Sequence, residues 1–223
     1  MGSKTRSMLV KGRLIVGPLE AVRSKYSKDA RAAFFKAQGE LEEADQRVVI
    51  ADKAVADAGA NLTAADDVQD AAALDLAVKL VGDGFNRSNP FKAFDAKSPS
   101  ELVNLGFVNE AKLLIALAGK VAQHPQVGAE AKKTASEMSA AAEAVRDAAK
   151  QQSKALKARS VAFAQRDSSL PEQWQQALTD LRTTLKYSDY VEHTTTYDEV
   201  FADVPKSEVV KKKKSAPVDD AVI

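Results

Sequence analysis

The chain has 223 residues, with 32 basic and 31 acidic side chains, 45% hydrophobic residues and no cysteine. This length suits one large domain or two small ones, and the apolar fraction excludes wholesale disorder. The lack of cysteine excludes a disulfide scaffold, a thiolate metal site and a cysteine nucleophile, and it fits a reducing, cytoplasmic location.

The first 17 residues form a basic, apolar N-terminal arm in this interpretation, with a hairpin, an amphipathic arm and a docking strand as open alternatives. Six basic residues and one acid lie between Met1 and Lys25, whereas the middle of the chain is net acidic. Such opposite charges favour contact between the arm and an acidic surface, although ordinary solvated charge explains them equally well. The apolar residues of the arm are Met8, Leu9, Val10, Leu14, Ile15 and Val16.

A first long helix is predicted to open at Gly17-Pro18, because proline is well tolerated in the first turn of a helix. The chain contains about 40 alanines, and alanine is the strongest helix former. From Leu41 to Ala65 the apolar residues are spaced alternately by three and four, which is typical of a coiled coil. Gly59 marks a possible break, and Gly82-Asp83-Gly84 is expected to end the helical region.

The segment after this helix is predicted to plug one end of a bundle. Its phenylalanines are Phe85, Phe91 and Phe94, and Ser98-Pro99-Ser100-Glu101 has the pattern of a helix-capping box. The helix that follows is apolar on nearly all sides, so we expect it to be a buried central helix.

A second long helix shows the most regular pattern, with alternate spacings of four and three from Ala131 to Phe163. Gln152 and Arg159 fall on its apolar seam, where they either fix the register or simply lie at the edge of the stripe. A C-terminal helix carries Trp174, a candidate anchor, and residues 202–223 are expected to form a disordered, lysine-rich tail.

The predicted fold is therefore all-α: an elongated bundle of two long antiparallel coiled-coil helices, a buried central helix and a C-terminal helix. Residues 18–201 form the bundle, between the arm at 1–17 and the tail at 202–223. Because alanine buries little apolar surface, the two long helices need further helices or a second copy of the chain to stabilise them.

Catalytic and metal-binding patterns are missing from the sequence. The two histidines, His124 and His193, belong to no metal-binding motif, and no phosphate-binding glycine loop or nucleophile elbow occurs. Adjacent acids such as Asp66-Asp67 point in different directions on a helix, which indicates a solvated face. We expect no enzyme activity, no metal and no cofactor.

The sequence thus favours a structural or assembly protein that forms a helical oligomer or filament, with a homo-oligomer or another protein as partner. The arm, Gln152, Arg159 and Trp174 are its candidate interaction residues. The alternative is a peripheral protein on a membrane or granule surface, held by the arm and the tail. Lys211, Lys212, Lys213 and Lys214 are candidate polyanion contacts, but a specific nucleic-acid partner is not favoured because no aromatic residues accompany them.

Overall fold

The computed structural model describes residues 3–205, and all regular structure in that range is helical, which confirms the all-α fold. The helices are α1 (Ser3–Ala21), α2 (Lys28–Gly82), α3 (Pro99–Leu102), α4 (Phe107–Gln123), α5 (Ala129–Arg166), α6 (Leu170–Glu192) and α7 (Thr196–Phe201), with a short 3-10 helix at Lys92–Phe94.

The chain divides into two compact units. Unit 1 combines Met1–Glu42 with Ser169–Ile223, and unit 2 consists of Glu43–Ser168. The helix α2 begins in unit 1 and continues into unit 2, whereas α5 lies wholly in unit 2. Each unit has its own apolar core.

Unit 1 packs α1, the first part of α2, α6 and α7 around a core that contains Phe34 and Trp174. The prediction that Gly17-Pro18 opens the first long helix is wrong. Pro18 lies near the end of α1, and the long helix begins at Lys28. Helix α1 therefore crosses the boundary at residue 17 that the sequence suggested, and its apolar face contributes to the core.

Unit 2 is organised by α2 and α5, which run antiparallel. Successive contacts between the two helices are seven residues apart on each helix. The residue numbers rise along α2 and fall along α5, which is the register of an antiparallel heptad coiled coil. These contacts join Asp45 to Arg166 and Asp52 to Arg159, and they place Gly59 beside Gln152.

The expected break near Gly59 does not occur, because α2 continues without interruption to Gly82. A glycine inside a helix costs only about 1 kcal/mol relative to alanine, which packing along the seam readily offsets. The predicted end at Gly82-Asp83-Gly84 is confirmed, and Gly84 adopts a positive φ of 94° just beyond the helix.

The phenylalanine segment closes one end of unit 2, as the sequence predicted. Phe91 and Phe94 are buried, and the rings of Phe85 and Phe94 both pack against His124 at the end of α4. The capping box also forms, with Glu101 Oε2 accepting the backbone N–H of Ser98 at 2.9 Å.

The central helix begins later than the sequence suggested. Leu102 ends the short α3, and α4 starts only at Phe107, after Gly106 at a positive φ of 74°. One face of α4 is buried in the core of unit 2, including Leu114 and Val121, while Val108 is 53% exposed.

Candidate functional site

An open groove with mainly apolar walls lies in the described part of unit 2. It has a volume of about 780 Å³ and lies between α2 on one side and the segment from Arg87 to Val103 on the other. Its lining residues from α2 are Asp70, Ala73, Leu74, Ala77, Val78 and Val81; those beyond α2 include Arg87, Pro90, Pro99, Leu102, Val103 and Glu110.

The apolar side chains of the groove are strongly exposed. Leu74, Val78 and Val103 expose 59%, 70% and 53% of their surface, respectively. Leu74, Val78 and Val81 follow one another at spacings of four and three, so they form a stripe on one face of α2. A contiguous exposed apolar patch of this kind is typical of an interaction surface.

Three carboxylates meet beside this groove. One oxygen from each of Asp66, Asp70 and Glu110 lies within 4.8 Å of the other two. Asp66 and Asp70 are one helical turn apart on α2, whereas Glu110 comes from the first turn of α4 and is only 4% exposed. The cluster therefore depends on how α4 packs against α2.

Burial and mutual repulsion change the ionisation of this carboxylate cluster. Burial raises the pKa of Glu110 to about 7, with further contributions from the charges of Asp70 and Asp66 and from a hydrogen bond with Asp70. The pKa of Asp66 is also raised, by burial and by the charges of Asp70 and Asp67. Such a cluster can share a proton or bind a cation.

A buried glutamine lies against the same cluster. Gln69 is fully buried, and its Nε2 donates to Asp66 Oδ1 at 3.4 Å. Gln69 Oε1 and Asp70 Oδ1 are both buried without a hydrogen-bond partner. Two unpaired acceptors at one place are unusual, because a buried polar atom that lacks a partner lowers stability.

Comparisons with known proteins give no family. No family model, no curated protein and no solved structure matches the chain. The function has to be inferred from this chain's own geometry. In the described part of the chain, none of the helices combines the length and the apolar character needed to cross a bilayer.

The predicted arm residues have two different environments in α1. Met8, Leu9 and Ile15 are buried in the core of unit 1, and Val16 packs against that core. Burial therefore removes these residues from the surface. Val10 and Leu14 are 49% and 37% exposed and lie one helical turn apart, so they remain available to a partner.

The other predicted interaction residues all make contacts within their own unit. Arg159 Nε donates to Asp52 at 2.5 Å, and Gln152 lies beside Gly59, so both side chains lie at the interface of α2 and α5. Trp174 is 1% exposed, and its Nε1 donates to Gln38 Oε1 at 2.7 Å. Trp174 thus anchors unit 1.

Lys211, Lys212, Lys213 and Lys214 lie outside the described residues, together with most of the predicted tail. His124 and His193 both end helices, α4 and α6, and His193 adopts a left-handed conformation with φ of 52°. His124 thus lies at a turn, and His193 is an exposed residue at the end of a helix.

Sequence reasoning missed Arg166 and Glu110. Arg166 is fully buried, with Nε and Nη2 donating to the carboxylate of Asp167 at 2.7 and 2.9 Å, and Nη1 donating to Asp45 at 3.3 Å. Arg166 lies seven residues after Arg159, at the equivalent position of the next heptad, and this spacing could have identified it from the sequence. For Glu110 the sequence offers no comparable signal, because its burial arises from tertiary packing.

Proposed function

We propose that the protein is a non-enzymatic scaffold that assembles with further copies of itself. In this proposal the exposed face of α1 on one copy binds the apolar groove in unit 2 of the next copy. The observation that carries the proposal is the exposed stripe of Leu74 and Val78 in a groove that also contains Val103.

The two surfaces are both apolar and carry charges of opposite sign. Val10 and Leu14 form an apolar pair about 6 Å long on α1, and the stripe on α2 extends about 10 Å at 1.5 Å per residue. Exposed Lys4 and Arg6 accompany the pair, whereas two carboxyl groups and one arginine line the groove. Opposite charges of this kind orient and accelerate association.

A contact between two different surfaces has a consequence for the assembly. Such head-to-tail interfaces produce closed rings or open filaments, whereas a surface that binds its own copy produces only pairs. The proposed arrangement therefore predicts species larger than a dimer at high protein concentration.

The first test uses matched variants in unit 2. Val78→Glu places a charge on the groove, and Val161→Glu places the same charge on an exposed part of α5 outside it. Sedimentation velocity over about a hundredfold range of protein concentration measures assembly by mass action. We expect wild type and Val161→Glu to assemble alike and Val78→Glu to stay monomeric; a monomeric wild type at every concentration would refute the proposal.

Peripheral binding to an anionic membrane is the second candidate, because α1 combines exposed lysine and arginine with two exposed apolar side chains. It is less favoured, since burial of Met8, Leu9 and Ile15 leaves only a small apolar area for lipid. Flotation with anionic vesicles separates the candidates: salt-sensitive binding that Val10→Glu abolishes supports the membrane candidate, and no binding excludes it.

A further inference from the structure

The carboxylate cluster of unit 2 has a composition and geometry that the scaffold function does not explain. Asp66, Asp70 and Glu110 bring three acidic groups to one place, and within the described residues no lysine or arginine forms an ion pair with any of them. Close like charges without a counter-charge destabilise a folded protein unless a proton or a cation compensates them.

Gln69 supplies a separate observation that points to a ligand. It is fully buried, its amide lies against Asp66, and its Oε1 has no hydrogen-bond partner. An amide oxygen, like a carboxylate oxygen, is a suitable ligand for a hard cation. In the structure the Nε2 of this amide faces Asp66, so a half-turn of the amide places Oε1 there, where a cation satisfies an acceptor that is otherwise unpaired.

We propose that Asp66, Asp70, Glu110 and the Oε1 of Gln69 bind one hard divalent cation, with calcium preferred over magnesium. Calcium takes several carboxylate and amide oxygens directly in a flexible geometry, whereas magnesium keeps several waters and usually binds through one or two carboxylates. Three carboxylates and an amide oxygen therefore favour calcium, and one oxygen of each carboxylate lies within 4.8 Å of the other two. Asp70 and Glu110 also line the open groove, so water can complete the coordination.

This site and the self-assembly proposal share the groove-lining carboxyl groups of Asp70 and Glu110, but their tests use different variants. The assembly variants change Val78 and Val10, and the cation variants change carboxyl groups, so either proposal can fail while the other holds. Assembly is measured in a chelator, and cation binding is measured at protein concentrations at which wild type is monomeric, which keeps the two readouts separate.

Isothermal titration of the full chain with calcium, and separately with magnesium, tests the proposal in a buffer of physiological ionic strength. We expect one calcium per chain with a Kd below about 1 mM, and weaker binding of magnesium. Asp70→Asn should weaken calcium binding at least about tenfold, since it removes a ligand charge. The matched control is Asp67→Asn, which removes the same charge from an exposed neighbour and should bind as wild type does.

A second variant and a second readout distinguish the loss of a cation ligand from the loss of the fold. Glu110→Gln keeps the size of the side chain, and circular dichroism reports whether it remains helical. Calcium should raise the Tm of wild type and of Asp67→Asn, but not that of Glu110→Gln. The proposal is overturned if wild type binds no calcium up to about 10 mM, or if Asp67→Asn loses as much affinity as Asp70→Asn does.

Discussion

At the scale of single residues, the core of unit 1 depends on a close contact between α1 and α2. Gly12 of α1 faces the amide of Gln38, which in turn accepts a hydrogen bond from Trp174 at 2.7 Å. A Cβ on Gly12 would overlap the Gln38 side chain. Because Gly12 has no side chain, Gln38 can occupy the position in which its Oε1 accepts the hydrogen bond from the buried Trp174 indole.

Gly12→Ala should lower the free energy of unfolding by about 1–3 kcal/mol, because overpacking displaces Gln38 and leaves Trp174 without its acceptor. Gly39→Ala is the matched control, since nothing lies within 4 Å of the added Cβ. It should raise stability by about 0.5–1 kcal/mol, because alanine is the better helix former. Urea denaturation measures both, and equal effects of the two variants would contradict the assigned contact.

The carboxylate cluster gives stability a dependence on pH that one residue dominates. The pKa of Glu110 is about 7 in the folded state and 4.5 in the unfolded chain, so the folded state holds this proton more tightly. Stability therefore falls as the pH rises from 4.5 through about 7, and the change that arises from this group is complete roughly one pH unit above the folded pKa.

Glu110→Gln should remove most of this dependence. In a chelator, the variant should gain stability relative to wild type between about pH 5 and about pH 8, because its amide does not ionise. Denaturant unfolding at a series of pH values gives the difference, with Asp67→Asn as the control for a general change in charge. A constant difference across the range would show that Glu110 ionises normally.

At the scale of elements, two arginines of α5 both pair with α2 and yet differ in environment. The side chain of Arg159 is 43% exposed and pairs with Asp52, whereas that of Arg166 is 1% exposed and pairs with Asp45 and Asp167. Exposed pairs contribute little, because water screens both charges; a buried pair that loses one partner leaves an uncompensated charge.

Arg166→Ala should therefore lower the free energy of unfolding by about 3–5 kcal/mol. Arg159→Ala, on the same helix and with the same kind of partner, should lower it by no more than about 1 kcal/mol. Thermal or urea unfolding distinguishes the two. Equal losses would mean that Arg166 is as solvated as Arg159.

Local sequence patterns predicted the helices α2 and α5, whereas the other features of the fold depend more strongly on tertiary packing. Three-four spacing is a property of neighbouring residues, so the seams from Leu41 and from Ala131 were visible in the sequence. The buried residues Met8, Gly12, Ile15 and Leu19 of α1 follow the same spacing, but the glycine on the stripe and Pro18 near its end obscured the helix in the sequence.

The candidate site was even less accessible to sequence reasoning. Asp66 was grouped with its neighbour Asp67 as a solvated pair, whereas its actual partners are Asp70, one turn away, and Glu110, on another helix. The groove also depends on Val103, which lies on a segment that only folding brings to α2. Neither relation has a signature in a single sequence.

At the scale of the whole molecule, the proposed head-to-tail scaffold uses two surfaces that belong to different units. Val10 lies on α1 of unit 1, and Val78 lies in the groove of unit 2. Blocking either surface leaves the other intact, so each variant retains one half of the interface. This asymmetry distinguishes the proposed contact from an interface in which one surface binds its own copy.

The most direct measurement mixes two variants that are each expected to be monomeric, Val10→Glu and Val78→Glu. The intact α1 of one should bind the intact groove of the other, and no further copy can add to the pair. Sedimentation velocity should then show a one-to-one complex of twice the monomer mass, which appears only on mixing. Two monomers that stay separate, or a single variant that still assembles alone, would contradict the account.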